Sequence, residues 1–100
     1  MKYVVISAIK TNKDGVTSVT RYPFIFPNLL VHSHVSKVAS LLVSFMHPTN
    51  EIKATSAGEL SSVEFKGECY GESTTLNLKA ADGDANLIYM NDYGSGMAEM

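Results

Sequence analysis

The sequence predicts an α+β fold: a mostly antiparallel sheet with one main helix packed on one face, in the order β-β-α-β-β-β plus a short C-terminal helix. Three observations carry this expectation. Residues 2–10, KYVVISAIK, are dense in β-branched and aromatic side chains and run into the turn signal Asn12-Lys13-Asp14-Gly15. From Val31 the apolar residues step by four and three through Val35, Val38, Leu42 and Phe45, which traces one stripe of a helix. After Pro48, Gly58, Gly67 and Gly71 cut the chain into brief segments, the pattern of short strands and bends.

The first strand is expected over 2–10, with Gly15 free to take positive φ in the hairpin turn. The return strand spans 16–26. If it is regular, Val16, Ser18, Thr20 and Tyr22 share one face, with Thr17, Val19 and Arg21 on the other. Pro23 lacks an amide donor and marks an edge or a bulge. For the helix, Asn28 or Ser33 is a cap candidate. Ser33 is preferred, because Leu29 to Val31 also read as strand continuation. The helix ends by His47, since Pro48 disfavours helical geometry in the residue before it. A third strand is expected over 51–57 and a fourth over 60–70, with Gly58 as a bulge or turn between them. A fifth strand over 74–79 points Leu76 and Leu78 inward, and Asp82 caps a short helix over 83–90. Residues 91–100, NDYGSGMAEM, read as a loose tail or interface arm of a single domain spanning 1–100.

Composition narrows the function classes. The chain is 45% hydrophobic and 18% charged, apolar for 100 residues. One small core does not readily absorb that content, so a homo-oligomer is expected to take the remainder into an interface. The net charge of −2 conceals an asymmetry: residues 1–58 hold six basic and two acidic side chains, residues 59–100 two basic and eight acidic. Neither half shows the basic stripe of a duplex DNA binder. The single cysteine, Cys69, precludes an intrachain disulfide and fits a reducing compartment. No signal peptide is visible, and no apolar run reaches the ~18 residues of a membrane span.

Residues with possible chemistry are few. His32 and His34 form an H-x-H pair, which would point one way on a strand and diverge on a helix. A metal would need a third ligand, from His47 or a carboxylate; the plainer reading is two locally packed histidines. Cys69 lies between Glu68 and Glu72, which disfavour its thiolate, so it reads as a small hydrophobe before a nucleophile. Asp82-Gly83-Asp84 resembles half a calcium loop, but Asn86-Leu87-Ile88 breaks that pattern. Hydrolase, phosphate-loop and dinucleotide fingerprints are absent, and no cofactor is implied.

Hydroxyl content is more suggestive. There are 18 Ser and Thr residues, and several, including Ser56, Ser61, Ser62, Ser73, Thr74 and Thr75, cluster near glycines. With aromatic rings to stack a base and Arg21, Lys53 and Lys66 to supply positive charge, such hydroxyls suit a nucleotide-type small molecule. The ligand-binding candidates are Arg21, Tyr22, Phe24, Ser56, Tyr70, Ser73 and Thr74. The competing reading is that Ser and Thr merely populate strands and turns.

Residues 24–90 carry the segments FIFPNLLVHSHVSKVA, SAGEL, ECYGESTTLNLKA and DANLI. In these the chain resembles a family of small uncharacterised proteins encoded by tailed bacteriophages. Phe24, Phe26, Pro27, His32, Ser56, Ala57, Gly58, Cys69, Gly71, Ser73 and Asp84 match the family's pattern. Its basic S-R-G turn is replaced by Ala80-Ala81-Asp82-Gly83, which counts against anion binding at this turn. The resemblance implies a phage origin and a role in the host bacterial cytoplasm, with no known activity. The expectation that follows is a non-enzymatic accessory protein that inhibits host antiviral defence. Its most concrete form is a homo-oligomeric sponge sequestering a nucleotide immune signal. The alternatives are a direct inhibitor of a host defence protein, a small hydrolase using Cys69 or a histidine, and a minor virion component.

Overall fold

Two long strands, β1 (Lys2–Thr11) and β2 (Thr17–Phe26), form an antiparallel hairpin with unbroken register from Lys2↔Phe26 to Thr11↔Thr17. The computed structural model describes residues 1–61 and 67–90. The hairpin loop is the one the turn signal predicts. Asn12 Oδ1 accepts the amides of Asp14 and Val16 at 3.0 and 3.1 Å, and Gly15 takes φ +83°.

The helix α1 (His32–Met46) then carries the chain to β3 (Glu51–Leu60), which pairs antiparallel with the other edge of β1. Strand β4 (Cys69–Tyr70) adds to β3, giving a curled four-stranded sheet of order β2-β1-β3-β4. A small hairpin, β5 (Glu72–Ser73) with β6 (Leu78–Lys79), forms a second sheet, and the described chain ends in a π-helical turn, Asn86–Met90. The fold is α+β, with the one main helix on one face of an antiparallel sheet, as the sequence predicts.

Central strand β1 is buried on both faces. Val4, Ile6 and Ala8 meet Phe26, Ala39, Val43 and Ala57 beneath α1. Tyr3 and Val5 meet Leu60 on the opposite face, where Ala80, Leu87 and Ile88 cover them. The C-terminal segment is therefore the second lid of the sheet. Leu76 and Leu78 pack with the helix-side core and Ala80 with the other, so the chain rounds the sheet edge between them.

Several local expectations need correction. α1 begins at His32 with Val31 as its N-cap, not Ser33, and no side chain caps it. It ends at Met46 with His47 as C-cap, as Pro48 predicts. The third strand does not stop at 57: β3 runs to Leu60 with Gly58 inside it. Of the expected fourth strand only β4 is found among the described residues. The expected strand over 74–79 is interrupted, because 74–77 form the turn of the β5–β6 hairpin. There Ser73 Oγ accepts the Leu76 amide at 3.3 Å, and Asn77 takes φ +57°. Before the π-helical turn, Asp84 rather than Asp82 is the anchoring carboxylate, accepting the Ala81 amide at 2.9 Å. The tail expected over 91–100, together with Ser62 and Lys66, lies outside the described residues.

The largest correction concerns α1. Its buried residues are His32, Ser36, Ala39 and Val43. The predicted stripe is turned by about 110° from these, at 100° per residue. Val38, Leu42 and Phe45 are 61%, 51% and 75% exposed. Small side chains at 36 and 39 let the helix backbone approach the sheet closely, and the bulky ones are left outside.

Candidate functional site

A register shift in β3 decides what faces where. Val5 pairs with Ser56 but Ile6 pairs with Ala54, so Thr55 is an extra residue, a β-bulge. Residues directly opposite share a face. The bulge therefore sends Ala54 toward the helix and Ser56 to the other side, a separation that plain alternation would not give.

On that other side Ser56 joins a buried polar cluster. Asp84, 1% exposed, accepts hydrogen bonds from Tyr3 Oη at 2.5 Å, Ser56 Oγ at 3.0 Å and the Ala81 amide at 2.9 Å. Three donors fill its oxygens as an ionised carboxylate takes them. Burial, followed by Asp84 beside it, pushes the Tyr3 phenol far above its ordinary range. Cys69 lies within hydrogen-bonding reach of Tyr3. Burial raises its thiol, the Tyr3 bond pulls it down and the Asp84 charge raises it, leaving a net upward shift. This environment holds Cys69 as a thiol at neutral pH, the reverse of what a nucleophile needs.

The three histidines lie in three separate places. His32 Nε2 donates to the Gly58 carbonyl at 3.1 Å, and its ring meets Phe26 edge-on at 5.3 Å between centroids. His47 Nε2 is bonded to Tyr22 Oη at 2.6 Å. His34 lies at the exposed side of α1. Among the described residues no group of three potential ligands could hold a metal ion.

One row of the sheet offers cations to solvent. Ser7 in β1 faces Arg21 across one edge and Lys53 across the other. Arg21 and Lys53 are exposed, while Ser7 is buried between them and shares a 2.8 Å hydroxyl contact with Thr55. The two cations stand two strand spacings apart, about 10 Å at the backbone, with a hydroxyl row between them. The next row along is also open, with Val19 51% exposed and Glu51 exposed. Glu51 touches Lys53 at 3.9 Å, a solvent-exposed pair of little strength.

The seven predicted ligand residues thus divide. Arg21 and Ser56 share the face opposite the helix, where Arg21 is exposed and Ser56 is committed to Asp84. Tyr22 and Phe24 pack on the helix side. Phe24 lines an apolar groove of about 360 Å³ between β2 and α1, with Phe26, Leu30, Val35, Val38 and Leu42 along it. Tyr70 is half exposed at the β4 edge. Ser73 and Thr74 line a shallow cleft of about 320 Å³ with Asn77 and Lys79 at the β5–β6 hairpin. Sequence reasoning named Lys53 only as a source of charge and missed Tyr3. Lys53 depends on the bulge, and Tyr3 lies 81 residues from Asp84, so neither has a local signal.

No helix among the described residues is long and apolar enough to cross a membrane. No protein-family model, curated protein or solved structure matches the chain.

Proposed function

We propose that this chain works by stoichiometric binding, as a homo-oligomeric phage accessory protein that captures an anionic nucleotide signal of host antiviral defence. The observation that carries the reading is the Arg21–Ser7–Lys53 row. It presents two cations on an exposed sheet face, without an acceptor competing from Ser7, whose hydroxyl is buried against Thr55. Phosphate groups are the natural counterpart of an arginine and a lysine so spaced, because arginine offers a planar donor fork and lysine a point charge. The exposed Thr74 hydroxyl and Asn77 amide add a second polar surface for ribose or base edges, while the Ser73 hydroxyl is buried and accepts the Leu76 amide. The resemblance of residues 24–90 to tailed-phage proteins supplies the biological setting.

A sponge needs a tight site and many copies, and no reacting group. The environment of Cys69 supports this over a cysteine hydrolase, since the thiol is pushed up and faces a carboxylate. Calorimetry against cyclic dinucleotides and cyclic ADP-ribose isomers tests the proposal. At least one should bind with micromolar affinity or better, and Arg21→Ala or Lys53→Ala should weaken it more than tenfold while the melting temperature holds. No heat and no thermal shift across the panel would reject the nucleotide reading.

A further inference from the structure

We infer that a second copy of this chain docks on the face formed by α1 and β2, each protomer seating its exposed helix ridge in the other's groove. The inference deepens the oligomeric half of the proposed function and rests on it there; it does not depend on which ligand is bound.

The helix is built for two partners. Its apolar side chains cover an arc of about 200° at 100° per residue, from Leu41 round to Val43 and shared with His32 and His34, leaving Ser33, Ser36, Lys37, Ser40 and Ser44 outside it. The sheet occupies one side of that arc, through Ala39 and Val43 with Ser36 beside them. The other side carries Val38, Leu41, Leu42, Phe45 and Met46, exposed by 51 to 75%, with Leu30 alongside at 46%. Weighted by these exposures, and at about 150–200 Å² per free side chain, the six leave roughly 520–700 Å² of apolar surface in water. That reaches the top of the ~300–600 Å² spanned by the largest apolar patch on a typical monomer. At the ~65% apolar share of homodimer interfaces it corresponds to about 1,000 Å² per protomer, enough for a stable pair.

Shape and charge select a second copy as the occupant. Val38 and Leu42 form one wall of the groove that Phe24, Phe26, Val35 and His34 also line, and exposed Phe45 extends that wall as a ridge. A projection and a recess side by side on one surface are self-complementary about a two-fold axis. α1 contains no acidic residue, and Lys37 is its one lysine or arginine, so the face carries little charge to recruit a charged partner or to repel its twin. The helix also lacks a side-chain cap, an acidic first turn and a basic last turn. With four serines and three valines its intrinsic propensity is weak, so packing on both sides must hold it.

Sedimentation equilibrium of the full chain from 1 to 100 μM tests this. The wild type should weigh twice a protomer in that range. Leu42→Glu and Phe45→Glu place a charge in the seam and should each weaken association at least 100-fold, with wild-type far-UV dichroism, because both side chains are exposed in the protomer. Val19→Glu, an equally exposed apolar position on the opposite face of the sheet, should leave the dimer intact. A wild type that is monomeric at 100 μM, or a dimer that survives both helix substitutions, overturns the inference. Calorimetry on the same samples separates it from the ligand reading: a dimer that binds no nucleotide upholds this interface and rejects only the ligand.

Discussion

Removing one hydroxyl, in Tyr3→Phe, should lower stability at neutral pH and flatten its alkaline decline. Tyr3 is fully buried, and its phenol donates to Asp84, itself 1% exposed. A hydrogen bond to a charged acceptor contributes about 1.5–3 kcal/mol, and here its loss leaves one oxygen of a buried carboxylate short of a donor. For a domain of this size, about 2 kcal/mol corresponds to a fall of roughly 10 °C in melting temperature. The pH dependence follows from the raised phenol. The native state keeps its proton where the unfolded chain, near the ordinary value of 10.0, has released it. The contribution is therefore complete below pH 10 and declines by about 1.4 kcal/mol per pH unit above it. Cys69, whose thiol is also raised, adds a further decline beginning near its ordinary 9.0. Urea unfolding followed by dichroism at pH 7, 10 and 11 measures both effects. Measured in a Cys69→Ala background, which removes the thiol bonded to Tyr3, the gap between the proteins with and without Tyr3→Phe should be about 2 kcal/mol at pH 7 and shrink by about 1 kcal/mol between pH 10 and 11, because half of the unfolded phenol is already ionised at pH 10. Equal stability at pH 7, or two curves that stay parallel to pH 11, would refute the account of this cluster.

Two further substitutions probe the packing. Val43→Ala, at a fully buried helix position, should cost about 2 kcal/mol in a thermal melt, whereas Val38→Ala, 61% exposed, should cost under about 0.5 kcal/mol when both are measured in a Phe45→Glu background. The opposite ranking would show that the stripe read from periodicity is the one facing the sheet. Gly58→Ala should destabilise by more than about 2 kcal/mol, because a Cβ there meets the Tyr70 carbonyl and presses on the Tyr3 ring; a melt within 2 °C of wild type would contradict that close approach.

The parts of the fold that are local in sequence were the legible parts. The β1–β2 hairpin depends on Asn12 and Gly15, both in the turn itself, and the helix end depends on Pro48 next to its cap. Burial on both faces of β1 had a signal as well. Residues 3–8, YVVISA, do not alternate between apolar and polar, and such a run marks a strand covered from two sides. The helix stripe misled because its apolar arc is wide enough to contain two stripes. Choosing between them requires knowing that Ser36 and Ala39 permit the closer approach to the sheet. The interrupted strand over 74–79 misled because Ser73 Oγ and the Thr74 carbonyl accept the amides of Leu76 and Asn77 in competition with a ladder that alternation alone suggests. Of the candidate site, Arg21 was visible as the only arginine, while its relation to Lys53 was not.

That relation rests on Thr55. Without the bulge, the register set by Val5↔Ser56 would pair Thr55 with Ile6, Ala54 with Ser7 and Lys53 with Ala8. Lys53 would then project beneath α1 into the cluster around Ile6, Ala8 and Val43, where an unpaired ammonium costs several kcal/mol. Ala54, which packs in that cluster, would turn outward instead. The extra residue resolves both conflicts at once. It lets Ser56 reach Asp84, keeps Ala54 under the helix and brings Lys53 alongside Ser7 opposite Arg21. The cationic row on the face away from α1 is thus a consequence of a single irregularity in β3. A ligand held by the row and a twin held by the helix would occupy opposite faces of the same three strands, so neither need displace the other.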